Sequence, residues 1–257
     1  SSAASDVYKR QGMNMRKAFL ITIVLLLVTA APASSEGWKY NTALYGWLSG
    51  MSGTIGVMGG DGAPVDASFE DLASFLDFAM GVHFEAVNPK MVLLTDIWYV
   101  NLGSTQNGEV AGQPVEIELD MVQWIVELGG GYRINEDFTF LVAGRYYVLD
   151  MGETSSGIGE GTSTEASQSW GDLFIGARYN KLLAEKWIVG LRGDIGAGGS
   201  DFAWFGEAVL GYRFTERWSA IAAYRILDLD HTGDEGDNYF KYDLAQNGLG
   251  VGVGFSF

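Results

Sequence analysis

The chain has 257 residues, 47% of them hydrophobic, with 16 Lys and Arg against 32 Asp and Glu and a formal net charge of −16. Such an acidic balance argues against a nucleic-acid partner, which needs a basic surface. The absence of cysteine excludes a disulfide scaffold and a thiolate metal centre.

Residues Ser1 to Gln11 resemble the in-frame translation of a sequencing-library adaptor over all eleven positions. Residues 1–12 are therefore read as an artefact of a gene assembled from shotgun reads, and are set aside. A natural start at Met13 or Met15 puts Arg16 and Lys17 in a basic segment, followed by the apolar run Ala18 to Ala30 and the small residues Ala31-Pro32-Ala33. This is a secretory signal peptide over 13–33, with cleavage expected at or near Ala33. The apolar run is shorter than the ~20 residues of a spanning helix. No second long apolar run follows, so the mature chain, 34–257, distributes its hydrophobicity by alternation.

That alternation predicts strands over Trp38–Ser49, Phe78–Val87, Met91–Leu102, Val115–Ile134, Phe138–Met151, Ser167–Asn180, Trp187–Ala197, Phe202–Phe214, Trp218–Asp230 and Tyr239–Phe257. Ten is an even number, as bacterial single-chain barrels require. The fold class is all-β: a closed antiparallel up-and-down transmembrane barrel of ten strands, with eight or twelve as alternatives. Closure follows because hydrocarbon cannot satisfy an open sheet edge. Within Val115–Ile134 the apolar phase changes near Met121, from Val115, Ile117 and Leu119 to Val122, Trp124, Val126 and Leu128. This predicts a β-bulge there.

Connections alternate between tight turns and longer Gly-, Ser- and Asp-rich loops, the expected periplasmic and outer ends. The connection Gly198 to Asp201 is an outer one as short as a turn. Aromatic residues gather at the turn ends, among them Trp38, Tyr40, Tyr132, Phe138, Tyr179, Trp187, Tyr212, Trp218, Phe255 and Phe257. Amphipathic rings prefer the headgroup level, so these form a girdle. In the first outer loop, Ala67 to Asp77 predicts a short helix that caps the mouth or folds into it. The outer loops are acidic, at Asp61, Asp66, Glu70, Asp71, Glu153, Glu160, Asp234, Glu235 and Asp237. They form a solvated face, or one that holds divalent cations against lipopolysaccharide phosphates.

Strand parity places Glu85, Asp96, Glu127, Arg145, Asp172, Arg178, Arg192, Asp194, Glu207, Arg213 and Arg225 inward. Buried charges of both signs must pair. A ten-strand lumen is narrow, and these pairs either line a small-solute path or plug it. On the last strand Gly248, Gly250, Gly252 and Gly254 face inward, so interior space is expected against that strand. Two histidines are candidates for hydrolytic chemistry: His83, two residues before Glu85, and His231, which follows Asp228-Leu229-Asp230 at the outer rim. No catalytic residue, cofactor or metal site is assigned. A protease or lipid-modifying hydrolase with a rim site near His231 is the alternative to a structural, surface or porin-like barrel.

The chain resembles a widespread, largely uncharacterised group of small Gram-negative outer-membrane β-barrel proteins. The resemblance is carried by Trp170-Gly171-Asp172, Gly176-Ala177-Arg178, Gly193-Asp194-Ile195-Gly196, Gly211-Tyr212-Arg213-Phe214 and Ala223-Tyr224-Arg225, where the group often has Gly at position 223. Upstream it includes Phe69-Glu70-Asp71-Leu72, Leu76-Asp77-Phe78-Ala79, Glu85-Ala86, Asp96 and Tyr99. It implies a barrel and an outer-membrane address, and no known chemistry. The ending Leu249, Val251, Val253, Phe255 and Phe257 resembles the signal read by the barrel-assembly machinery. Expected partners are therefore that machinery, outer-membrane lipid and lipopolysaccharide, around a monomer.

Overall fold

The computed structural model describes residues 37–57, 62–110, 113–156, 162–233 and 240–257. The adaptor, the signal peptide and the loop acids Asp61, Glu160, Asp234, Glu235 and Asp237 lie outside the described residues. The strands are β1 (Lys39–Val57), β2 (Ala63–Ala67), β3 (Leu76–Val87), β4 (Met91–Val110), β5 (Gln113–Arg133), β6 (Phe138–Ser156), β7 (Thr162–Leu183), β8 (Trp187–Gly198), β9 (Phe202–Arg213), β10 (Trp218–Gly233) and β11 (Phe240–Ser256). One short helix, α1 (Phe69–Ala73), precedes β3.

From β3 to β11 each strand pairs antiparallel with the next, β1 pairs with β3, and β11 returns to β1. β2 hangs on the loop-end half of β1 and is not part of the wall. The wall is thus a closed barrel of ten strands. β11 pairs with β1 without a break from Asn41↔Ser256 to Val57↔Phe240. Closure gives every wall strand two neighbours, which is how a sheet satisfies its backbone away from water.

The outside of this wall is apolar. Leu128 is 72% exposed and Leu173 73%, with Leu44, Leu93, Val142, Ile175, Leu191, Ile195, Leu210, Leu249, Val251 and Val253 also exposed. A water-soluble fold would bury such residues; a membrane barrel offers them to lipid. At the end with the short turns, rings pair between adjacent strands: Phe138 with Tyr179, Trp187 with Tyr212, Trp218 with Phe255 and Tyr40 with Phe257, at centroid separations of 4.9, 4.9, 4.8 and 5.8 Å. These pairs make the expected girdle a contacting belt.

Two expectations are corrected by the ladders. β5 keeps an unbroken register with both β4 and β6 through Met121, so it has no bulge there. The change of phase has another cause. Val122, Trp124 and Val126 pack on an outer-face cluster with Ile97 and Tyr99, whereas Met121 packs inward on the interior core. Near Met121 the apolar face passes from the outside of the wall to the inside. The register shift that does occur lies in β3, between Leu76 and Phe78.

The stretches read as loops after Leu102 and Met151 are largely strand. β4, β5, β6 and β7 span 20, 21, 19 and 22 residues, whereas β8 and β9 span 12 each. The wall therefore stands tall on one side and steps down at the β8–β9 connection. The expected short helix is present as α1, held by a capping box in which Ser68 Oγ accepts from Asp71 N and Asp71 accepts from Ser68 N. Leu72 and Phe75 pack on the interior core, and Phe75 O accepts from Gly103 N, so this segment folds inward below the strand tops.

Candidate functional site

The interior is built in three layers. Every inward charge arises from the period-2 alternation of a wall strand, so charges on neighbouring strands meet in register. Glu127↔Arg145 and Arg145↔Asp172 are cross-strand pairs, as are Arg178↔Arg192, Arg192↔Glu207 and Glu207↔Arg225. Arg178, Arg192, Glu207 and Arg225, three arginines and one carboxylate, thus run in register across β7 to β10.

The middle layer is a charge belt. Glu127 accepts from Arg145 Nε at 2.9 Å and from Arg192 Nη1 and Nη2 at 2.8 and 3.0 Å. Asp194 accepts from Arg192 Nε at 2.7 Å and lies 3.3 Å from Arg145 Nη2. The guanidinium of Arg145 sits over the Phe174 ring at 4.0 Å and near Phe205 at 4.9 Å. Two cations and two anions therefore neutralise one another across the lumen, where an unpaired charge would be costly. Beside them Arg225 lies 2.7 Å from Glu207 and 3.5 Å from Asp96, with its guanidinium over the Tyr45 ring. Asp96 also accepts from Tyr45 Oη at 2.6 Å and contacts His83 Nδ1 at 3.1 Å. Arg178 pairs with Glu85.

Toward the turn end this belt borders a vestibule of about 300 Å³. Its charged lining is His83, Glu85, Asp96, Arg178, Arg192, Glu207 and Arg225. Its opposite wall is formed by Gly250, Gly252 and Gly254 together with Ser219, Ile221 and Ala223. The space lies against the glycine face of β11, as the inward parity of those glycines predicts.

Toward the loop end the lumen is filled with apolar side chains, which inward parity of the charges did not predict. Trp47, Trp98, Tyr147, Leu149, Trp170, Phe174, Phe205, Leu227, Leu229, Phe240, Tyr242 and Leu244 form one buried cluster. Within it Gln123 donates to Tyr242 Oη at 2.9 Å, and Gln246 donates to Gln123 Oε1 at 2.9 Å and to Tyr242 Oη at 3.0 Å. Gln246 is 1% exposed. The closing strand thus presents bare glycine to the lumen only in its second half; before Gly248 it inserts Phe240, Tyr242, Leu244 and Gln246. The available signal was the parity that Phe240, Tyr242 and Leu244 share with the inward glycines Gly248, Gly250, Gly252 and Gly254.

Two assigned lumen charges serve other contacts. Arg213 donates to the Glu216 carbonyl at 3.1 Å, closing the β9–β10 turn and standing apart from the belt. Asp172 accepts from Ser200 N at 2.7 Å and fixes the short β8–β9 connection. His231 Nδ1 lies 2.7 Å from the Gly199 carbonyl oxygen, and its ring stacks on Trp170 at 4.1 Å. A carbonyl accepts only, so Nδ1 carries the proton and donates it there. A hydrolytic histidine needs a carboxylate or hydroxyl partner, and these two contacts supply neither. Among the described residues no group of three His, Cys, Asp or Glu is arranged to hold a metal ion.

No protein-family model matches the sequence, and no curated protein matches it. Solved structures do resemble it in shape. The outer-membrane protease OmpT of Escherichia coli is 10% identical at a TM-score of 0.48, over 87% of this chain and 98% of that one. The translocator domain of the autotransporter NalP of Neisseria meningitidis is 12% identical at 0.43, over 95% and 97%. The attachment invasion locus protein Ail of Yersinia pestis is 14% identical at 0.39, over 87% and 100%. These proteins are outer-membrane barrels of differing roles, and the likeness carries no role to this chain.

Proposed function

We propose that this protein is an integral β-barrel of a Gram-negative outer membrane whose lumen is sealed, with a structural or surface role and not that of a conduit. One observation carries the reading: beyond the charge belt the loop-end half of the lumen is packed with buried aromatic and aliphatic side chains. A ten-strand wall leaves little space beyond what side chains fill. Here one end of that space is a vestibule and the other is a core as tightly buried as a soluble domain's. An ion crossing it would shed its hydration against Leu227, Leu229 and Phe240 without compensation.

The apolar exterior and the girdle support the membrane placement. The outward ladder Leu249, Val251, Val253, Phe255 and Phe257 supports delivery by the barrel-assembly machinery; outer-membrane lipid and lipopolysaccharide are then the surrounding partners of a monomer. No catalytic step belongs to this reading. Planar-bilayer recording tests it: refolded protein should give no reproducible single-channel steps. Stable, voltage-independent steps would overturn the sealed lumen. Cleavage of a peptide or lipid that disappears in His231→Ala or His83→Ala would replace it with a hydrolase.

A further inference from the structure

The ladder that closes the wall is interrupted on one edge of β1. β1 pairs with β11 along its length. Its other edge pairs with β3 only from Lys39↔Val87 to Tyr45↔Gly81. The next ladder on β1 besides that with β11 begins at Met51↔Ala67, with β2. β3 meanwhile stays with β4 as far as Leu76↔Leu102. Between Gly46 and Gly50, β1 and β3 therefore part, and the wall has a lateral split. Hydrocarbon does not tolerate a bare strand edge, so such a split needs a cover.

The cover is the segment through α1. The β2–α1 junction rests on Gly50, where an added Cβ would meet Ala67 O at 2.8 Å and Phe69 N at 3.4 Å. Beyond the helix, Phe75 O accepts from Gly103 N at 2.7 Å. The segment thus bridges β1 and β4 across the split. Beneath it lies a cavity of about 100 Å³ whose lining includes Trp47, Leu72, Ala79, Trp98, Leu102 and Gln123. Gly46 and Leu48 also border it. The split lies in register with Leu249 and Val251 across β11, and Leu44, Leu76 and Phe78 are exposed beside it. It opens into the apolar band of the exterior. Trp47, part of the cavity's lining, is 5% exposed, and its Nε1 has no hydrogen-bond partner.

We propose that the split is a lateral port through which an ester-linked acyl chain of an outer-leaflet lipid enters the cavity under α1. The inference rests on the membrane placement proposed above. The medium at the split is hydrocarbon, so its neighbours are lipid chains. The cavity walls are almost wholly apolar, which favours a chain over a headgroup. The unpaired Trp47 Nε1 favours an occupant with an acceptor oxygen at one end over plain hydrocarbon.

Photolabelling tests this. The protein is refolded into phosphatidylethanolamine vesicles containing a fraction of lipid with a diazirine on one acyl chain, irradiated, and mapped by mass spectrometry. The port predicts adducts at Trp47, Leu72 and Ala79 in addition to Leu249 and Val251. Gly46→Phe narrows the mouth: an added Cβ at Gly46 meets nothing within 4 Å, and heat-modifiable migration checks that the variant folds. It should lower the interior adducts at least tenfold and leave those at outward residues away from the split, Leu128 and Leu173, unchanged. Adducts confined to outward residues, or interior adducts equal in Gly46→Phe, overturn the port. Interior labelling by a free diazirine fatty acid and not by the lipid overturns the proposed occupant. Loss of label at Leu128 and Leu173 as well would overturn the membrane placement itself, and the port with it.

Discussion

Arg145 is the residue on which the charge belt turns, and its removal has a magnitude that follows from its contacts. The side chain is 4% exposed, bonded to Glu127, close to Asp194 and stacked on Phe174. Breaking a buried ion pair by deleting one partner costs about 3–5 kcal/mol, because a buried charge is stranded. In Arg145→Ala the stranding is partial: Arg192 still holds Glu127 at 2.8 and 3.0 Å and Asp194 at 2.7 Å. Against that, the desolvated cation–π contact is lost, worth about 2 kcal/mol. The expected net cost is about 3 kcal/mol, somewhat more than a hundredfold in the folding equilibrium. Arg145→Met retains contact with Phe174 and Phe205 and should cost about 1 kcal/mol less. Lys181→Ala is the control: its ion pair with Asp137 is solvent-exposed and its loss should leave the unfolding midpoint unchanged. Equilibrium urea unfolding in lipid vesicles, followed by tryptophan fluorescence, reads all three. A cost below about 1 kcal/mol for Arg145→Ala, or one no larger than that of Lys181→Ala, would refute the belt as the anchor of the lumen.

Two further outcomes follow from the wall and from α1. At Gly248 an added Cβ would run into the backbone of Leu48 and Ser49, whereas at Gly250 the nearest atom is Ala223 Cβ at 3.6 Å. Gly248→Ala should therefore cost about 1–3 kcal/mol by forcing β1 from β11, while Gly250→Ala stays within about 0.5 kcal/mol. Thermal loss of heat-modifiable migration compares them, and equal midpoints would contradict the register. At α1, the hydrogen bonds from Ser68 hold the Asp71 carboxyl below its ordinary range. A depressed folded pKa means that its support of the helix is complete above the ordinary aspartate pKa and lost as the pH falls through the depressed one. Amide exchange of residues 69–73, corrected for its intrinsic pH dependence, should lose protection over that acid window in the wild type and not in Asp71→Asn.

The barrel was legible because its rule is local. Alternation fixes the face of each residue, and tight turns such as Asn88-Pro89-Lys90 fix where strands end, so ten strands follow from the chain alone. The inward charges were legible by the same parity, and Glu127, Arg145, Arg192 and Asp194 do converge. Parity gives a face, however, and not the medium on each side of it. At Met121 the apolar face moves inward where the strand stands above the apolar band, and a sequence reader sees this as a slip in register. Parity likewise places Phe240, Tyr242 and Leu244 on the face of the glycine ladder without marking them as lumen filling. Arg213 shared the parity of the belt but sits at a strand end, where its reach goes to the Glu216 carbonyl. The lateral split was not legible at all, since it depends on which neighbour β1 loses after Tyr45.

The step in the rim has a consequence for how the molecule meets large bodies outside the cell. Each residue of strand adds about 3.4 Å, so the 7 to 10 extra residues of β4–β7 amount to roughly 25–35 Å of ribbon, or about 20–25 Å of height at the usual tilt. In the membrane placement proposed above, with the loop end outward, the protein forms on that side a screen that rises past lipid headgroups, while the β8–β9 side stays level with them. An antibody, a phage fibre or a protease too wide to pass between lipopolysaccharide sugars would reach the screen and not the low side. Sequence change that alters recognition without disturbing the fold should therefore gather on the tall hairpins and not at Gly198 to Asp201.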